Sequence, residues 1–396
     1  MIDVSTADTV TATGTRIRRN LLAAPAVPSQ RVDVYSGVAR LAATVWASEV
    51  VMAGTTPDTA VVTVHPTSNM LGHYALAPLA ERGLAGIGLA TRYVGNDSSL
   101  ITENVLLDIA AMVRELRARG YRRVVLAGNS GGASVVPYYQ AQAQHPTVTA
   151  PPGGGPDLTG YDLPPVDGVI MLMAHSGRAR LITEWLDPAI IDESKPFMRD
   201  AALDMYDQRN GPPYSAQFVE DYRAAQLERN RRISRWAEGM LRSIPPAVPD
   251  FPFIVHGTYA DPRSLDAALE PSDRPIGVSL WGPPDSANYL PAGICRYTTA
   301  RSWLNQWSVD HALGDALRWL PEVNVPVLIM YGTGDTAAHP QHALDMYEAV
   351  LQAPRELVAI IGAGHYFEGQ PELRDEACDR IAKWVHALPD ERQDRG

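Results

Sequence analysis

Val124-Val125-Leu126-Ala127-Gly128-Asn129-Ser130-Gly131-Gly132 is the stretch from which both fold and chemistry can be read. The apolar run reads as a strand buried on both faces. It ends in a serine set among glycines, and a helical pattern follows. The Gly-x-Ser-x-Gly spacing at a strand-to-helix turn forces the serine into a strained backbone conformation, where flanking side chains would collide. In return the hydroxyl stands clear of the backbone at a helix N-terminus, whose partial positive charge favours a developing anion. A plain glycine turn would give the same five letters; the strand before and the helix after favour a nucleophile.

Outward from this turn, short β-rich runs alternate with longer amphipathic stretches. Upstream, Arg31–Tyr35 and Leu41–Ala47 read as an opening pair of strands, and Ala60–Val64 as a buried strand. Leu71–Arg82 reads as a helix and Leu84–Ala90 as the next strand. The clearest helix spans Leu100–Arg119: Val105, Leu106, Ile109, Met112, Val113 and Leu116 recur at helical spacing, and Gly120 stops it. Downstream, Val166–Met173 and Val325–Met330 read as strands, His339–Leu351 as a helix, Leu357–Ile361 as a strand and Pro371–Leu388 as a closing helix. Such a succession predicts an α/β fold, a mostly parallel sheet with helices on both faces. Residues 175–320 differ, with helical patterns such as Ser215–Arg242 and many Trp, Tyr and Pro residues. They read as a largely helical lid inserted between two late strands, dividing the core into 31–174 and 321–396. Residues 1–30 read as a loosely ordered tail.

A serine hydroxyl is a weak nucleophile at neutral pH and needs a base. His365 lies in Gly362-Ala363-Gly364-His365-Tyr366-Phe367, straight after a predicted strand. Its glycines let an imidazole approach another loop. Alone it would pass for a structural loop histidine; the chain order Ser, Asp, His favours the base. Asp335, in Tyr331-Gly332-Thr333-Gly334-Asp335, is the candidate carboxylate to hold the imidazole tautomer, with a helix-capping turn aspartate as the bland alternative. The oxyanion needs donors. One is the Gly131 N–H; the other is assigned to Thr67, with Ser68 close behind, in the loop Val64-His65-Pro66-Thr67-Ser68-Asn69. His65 itself reads as a residue that fixes this loop.

Weaker signals take bland readings first. Ser176, in His175-Ser176-Gly177, lacks a leading glycine and is a poor rival nucleophile. His339 and His342 stand near Asp335, but the further ligands of a tetrahedral metal site cannot be placed, so no metal is expected. Asn129, Ser68, Arg301 and Trp303 are the candidate substrate-binding residues. If Arg301 and Trp303 roof the cleft, they suit an aromatic or carboxylate-bearing substrate; core packing of the tryptophan competes with that reading.

The His-Pro loop after an early strand, the Gly-Asn-Ser-Gly-Gly turn, the late Gly-Thr-Gly-Asp and the terminal Gly-His together resemble the α/β-hydrolase family, over residues 60–174 and 322–388. That resemblance implies a triad of Ser130, His365 and Asp335, no metal and no organic cofactor. It also implies two-step acyl transfer on a carboxylic ester or lactone. Two departures stand out. Pro66 follows His65 where many members have glycine, which leaves the oxyanion residue open by one position. Ser130 and Asp335 are widely separated, as a large insertion would require. Carbon–carbon bond hydrolysis of a diketone by the same triad is the first alternative, because an Asn before the nucleophile also occurs in such enzymes. A non-catalytic, ligand-binding version of the fold is the second.

Composition narrows the field. The 396 residues are 45% hydrophobic and 20% charged, enough for a large core. The net charge of −11 has the wrong sign for a phosphate-gripping surface, so nucleic acid is not an expected partner. No run approaches the roughly 20 apolar residues needed to span a bilayer. Leu21–Val27, behind Arg16, Arg18 and Arg19, superficially suggests an export signal but is short and broken by Pro25, which leaves export as the minor alternative to a tail. Cys295 and Cys378 make no disulfide framework. The expectation is a cytoplasmic enzyme with a small-molecule substrate, homo-oligomerisation left open.

Overall fold

The computed structural model describes residues 7–11, 13–28 and 44–389. Among them the strands are β1 (Ala7–Val10), β2 (Arg16–Pro25), β3 (Thr44–Met52), β4 (Thr59–Val64), β5 (Ala85–Ala90), β6 (Arg123–Asn129), β7 (Gly168–Leu172), the short β8 (Pro252–Ile254) and β9 (Tyr297–Thr299), β10 (Val327–Gly332) and β11 (Arg355–Ile360). All but β8 and β9 form one sheet in the order β1-β2-β3-β5-β4-β6-β7-β10-β11. From β5 to β11 every pairing is parallel, whereas β1, β2 and β3 run antiparallel to their neighbours.

Helices cover both faces, as alternation along the strands requires. Val62, Leu126, Met171 and Ile329 pack on one side against α2 (Thr102–Ala118), α3 (Val136–Gln144) and a late helix over Pro340–Ala349. Val61, Val125, Ile170 and Leu328 pack on the other against α1 (Leu76–Glu81) and the closing helix over Pro371–His386. No helix among the described residues is long and apolar enough to cross a membrane.

Three expectations need correction or relocation. Residues 16–25, expected in a loosely ordered tail, are a ten-residue strand paired with β3 from Ile17 to Pro25. Ile17, Leu22 and Ala24 are buried there. Arg16, Arg18 and Arg19, which superficially suggest an export signal, belong to this strand, Arg16 exposed and the other two half-buried. The helix read over Leu71–Arg82 is broken: Asn69 caps a 3-10 turn at Met70–Gly72, and α1 starts only at Leu76. Of the opening strand pair, the part of Leu41–Ala47 from Thr44 on is the start of β3, while residues 41–43 and Arg31–Tyr35 lie outside the described residues.

Between β7 and β10 the chain makes its long excursion. It contains α4 (Arg178–Trp185), α5 (Ala216–Ser243), the β8–β9 ribbon and a π-helical turn at Trp303–Trp307. Trp185, Ile233, Trp303 and Trp307 give it an apolar cluster of its own. Polar contacts join it to loops at the carboxyl ends of the strands. Asn305 accepts from the Thr102 amide at 2.6 Å and donates to Glu103 at 2.8 Å; Ser302 donates to the Leu100 carbonyl at 2.9 Å. The Asp273 amide donates to the Thr333 carbonyl at 2.9 Å, and Thr333 donates to Asp273 in return.

Candidate active site

β6 lies between β4 and β7, with Val64 opposite Gly128 and Leu172 opposite Asn129, so their carboxyl ends finish level. Ser130 turns the chain there with φ of 53°, a left-handed conformation that costs a side-chain-bearing residue energy. The glycines make the turn feasible. A β carbon on Gly128 would lie 2.7 Å from the Gly132 carbonyl carbon, and one on Gly131 would lie 2.8 Å from His65 Nε2. A 3-10 turn over Ser130–Ser134 then leads into α3.

The structure brings three distant loops together at this point. Ser130 Oγ is 2.9 Å from His365 Nε2, and His365 Nδ1 is 2.7 Å from Asp335 Oδ2. Asp335 Oδ1 accepts from the amides of Ala337 and Ala338 at 2.7 and 2.9 Å. An ionised carboxylate can only accept, so His365 Nδ1 holds the ring proton and Nε2 is free to accept from the serine hydroxyl. Asp335 is 0% exposed and His365 3%, which keeps bulk water away from the relay. Gln370 steadies the histidine loop, accepting from the Gly364 amide and donating to the Gly362 carbonyl, both at 2.8 Å.

The oxyanion side departs from the sequence reading. The Thr67 amide, expected to serve the oxyanion, donates instead to His65 Nδ1 at 3.1 Å, and the Ser68 amide donates to the same atom at 2.8 Å. The imidazole folds back over its own loop, an arrangement with no periodic signal in the sequence. Thr91 and Gly95 pin the loop further, through the Pro66 and Thr67 carbonyls. Ser68, half-buried, offers its amide to the loop rather than to a ligand. The Gly131 amide sits at the start of the turn, next to the nucleophile.

The side chains of the remaining substrate candidates are engaged with other groups. Asn129 is buried and donates to the Leu172 carbonyl at 3.0 Å and to Tyr74 at 3.2 Å, locking β6 to β7. Arg301 donates to the Pro249 carbonyl at 2.7 Å, inside the excursion. Trp303 is fully buried in the excursion's own core, its indole N–H donating to Ser234 at 2.9 Å. Packing between non-local segments, which spacing along the chain does not encode, sets where both side chains face, and for Trp303 it is the core packing weighed above. Ser176 Oγ lies 3.1 Å from His342 Nδ1, but both residues are buried. His339 and His342 lie 3.7 and 3.6 Å from Asp261 and Glu184, not at Asp335.

Two further residues stand beside the site. Arg178, at the start of α4, is buried; it donates to Asp97 at 2.7 Å and lies 4.2 Å over the Trp307 ring. His65 was read only as a loop-fixing residue, yet it is the side chain that would touch a β carbon on Gly131. The signal for it in the sequence was the proline that follows.

No family model matches the chain, and no curated protein does. Solved structures do resemble it. One is a siderophore hydrolase from Aspergillus fumigatus, 13% identical over 87% of this chain and 95% of that one, TM-score 0.49. Another is a monoacylglycerol lipase from Paleococcus ferrophilus, 14% identical over 87% and 99%, TM-score 0.46. A third is a soluble variant of a monoglyceride lipase from Saccharomyces cerevisiae, 14% identical over 92% and 97%, TM-score 0.46. The sheet order, its parallel run from β5 to β11, and the left-handed serine turn between β6 and a helix are the chain's own features. By them it has the α/β-hydrolase fold.

Proposed function

We propose that the chain is a serine hydrolase that cleaves a carboxylic ester or lactone by two-step acyl transfer. The observation that carries this reading is the continuous relay from Ser130 through His365 to Asp335, at 2.9 and 2.7 Å. His365 Nε2 takes the hydroxyl proton as Ser130 Oγ adds to the ester carbonyl. The tetrahedral intermediate collapses by breaking its C–O bond, and the leaving alkoxide departs as an alcohol with the proton from His365. Water, deprotonated by the same nitrogen, then attacks the acyl-serine; the acid leaves and Ser130 regains its proton. Asp335 stays ionised throughout and stabilises the imidazolium. The Gly131 N–H donates to the oxyanion. Residues 175–320 act as the lid, a role supported by their bonds to the loops after β5 and β10.

The carbon–carbon alternative rested on Asn129, whose side chain is committed to Leu172 and Tyr74, so the ester reading takes precedence. A carboxylate on the substrate would meet Arg178 more readily than Arg301, since Arg178 Nη1 has no hydrogen-bond partner among the described residues. The test is labelling with a fluorophosphonate. The native chain is expected to be modified at Ser130 and to hydrolyse p-nitrophenyl esters, and Ser130→Ala to do neither. Undiminished esterase activity in that variant would end the hydrolase reading.

A further inference from the structure

An acyl-transfer site needs more than one donor aimed at the oxyanion, and the loop after β4 has few to give. Pro66 has no N–H. The Thr67 and Ser68 amides are both spent on His65 Nδ1. That double acceptance has a consequence for the ring. An imidazole nitrogen that accepts carries no proton, so in the neutral ring the proton sits on Nε2. Burial, and after it the charge of Arg178, holds His65 well below the ordinary histidine value and keeps the ring neutral. Nε2 in turn lies against the serine turn, 2.8 Å from the place a Gly131 β carbon would occupy. No acceptor is bonded to it among the described residues.

We propose that the His65 Nε2–H is the second oxyanion donor, acting with the Gly131 N–H on the tetrahedral intermediate formed at Ser130. The proposal rests on the serine hydrolase reading and deepens it. Proline at position 66 removes a backbone donor, and the imidazole before it supplies a side-chain donor in its place. Two backbone amides hold the ring in that pose before any substrate arrives, which is the preorganisation that makes such donors effective. No proton is transferred by His65; it donates a hydrogen bond and keeps its proton through both halves of the reaction.

The test uses the full chain and a p-nitrophenyl ester. His65→Ala is expected to lower kcat by roughly 10²-fold, the usual loss for one oxyanion donor, with KM changed by less than threefold. The inhibition constant of a trifluoromethyl ketone, which forms a tetrahedral adduct on serine, should rise in parallel. His65→Gln, which keeps a donor, should recover at least tenfold of the loss. A kcat and an inhibition constant both within threefold of wild type in His65→Ala would overturn the proposal. If His65→Ala does not fold, the wild-type chain labelled with ¹⁵N-histidine decides. The Nε2–H resonance of His65, assigned by its absence in His65→Gln, should move downfield when the ketone adduct forms; an unmoved resonance overturns the assignment. These failures are distinct from failure of the hydrolase reading, in which wild-type Ser130 would not react with the fluorophosphonate at all.

Discussion

At Gly131 a single hydrogen separates a workable site from a blocked one. Gly131→Ala would set a methyl 2.8 Å from His65 Nε2, and the ring, tied to two amides, cannot easily retreat. Esterase activity is expected to fall by roughly 10²-fold, the size of one lost oxyanion donor, with the circular dichroism spectrum retained and the melting temperature lowered by the overpacked contact, which costs about 1–3 kcal/mol. Asp335→Asn tests the other end of the relay. An amide cannot take the place of the carboxylate without offering a donor to His365 Nδ1, which favours the wrong tautomer. A loss in kcat of roughly 10⁴-fold is expected, the effect measured for the equivalent change in another serine hydrolase triad, and an unaltered kcat would show that the 2.7 Å contact is idle. These residues were legible because each sits in a loop directly after a strand, where glycines mark the turn. Thr67 was misread because whether its amide is free for a ligand depends on where a neighbouring side chain, here His65, folds. For Trp303 the core-packing reading holds, and the surroundings of Arg301, like those of Trp303, are built by residues dozens of positions away.

Among the elements, α2 carries a titrating latch. Glu103, in its first turn, is fully buried, accepting from Tyr138 at 3.0 Å and from Asn305 of the π-helical turn at 2.8 Å. Burial outweighs those hydrogen bonds and pushes its carboxyl up to about 7 from an unfolded value of 4.5. The folded state therefore binds more protons than the unfolded state between these values. The stabilisation is full below pH 4.5 and is lost as pH rises through about 7, in total about 3 kcal/mol. Chemical denaturation of the wild type should show that decline, and Glu103→Gln should flatten it across the same window. A decline of equal slope in the variant would assign it to other groups. The sequence made the existence of α2 plain through its apolar spacing, yet nothing in that spacing marks Glu103 as a buried charge. Only the excursion returning over it takes it out of water. β2 was missed for the converse reason: its charges are local and visible, while the nine-residue pairing that orders it lies with a strand beyond it in the chain.

For the whole molecule, that pairing makes the first part of the chain structural. Removing residues up to Thr15 takes away β1 alone and should leave the elution volume on gel filtration unchanged apart from the lost mass. Removing residues up to Ala26 also strips β2 from β3, whose buried residues Val45, Ala47 and Val50 then border an open edge. Aggregation of the second truncation and not the first is the expected outcome, because unpaired edges recruit other strands. Monodisperse behaviour of both would make β2 dispensable. The excursion between β7 and β10 has a different reach. Through Asp273 and Thr333, and through Tyr259, which donates to the Thr336 carbonyl at 3.3 Å, it grips the segment on either side of Asp335. Grafting a foreign cap between β7 and β10 would thus change more than which molecules fit: the newcomer must also shoulder the acid, so selectivity and reactivity in this scaffold are inherited as one unit.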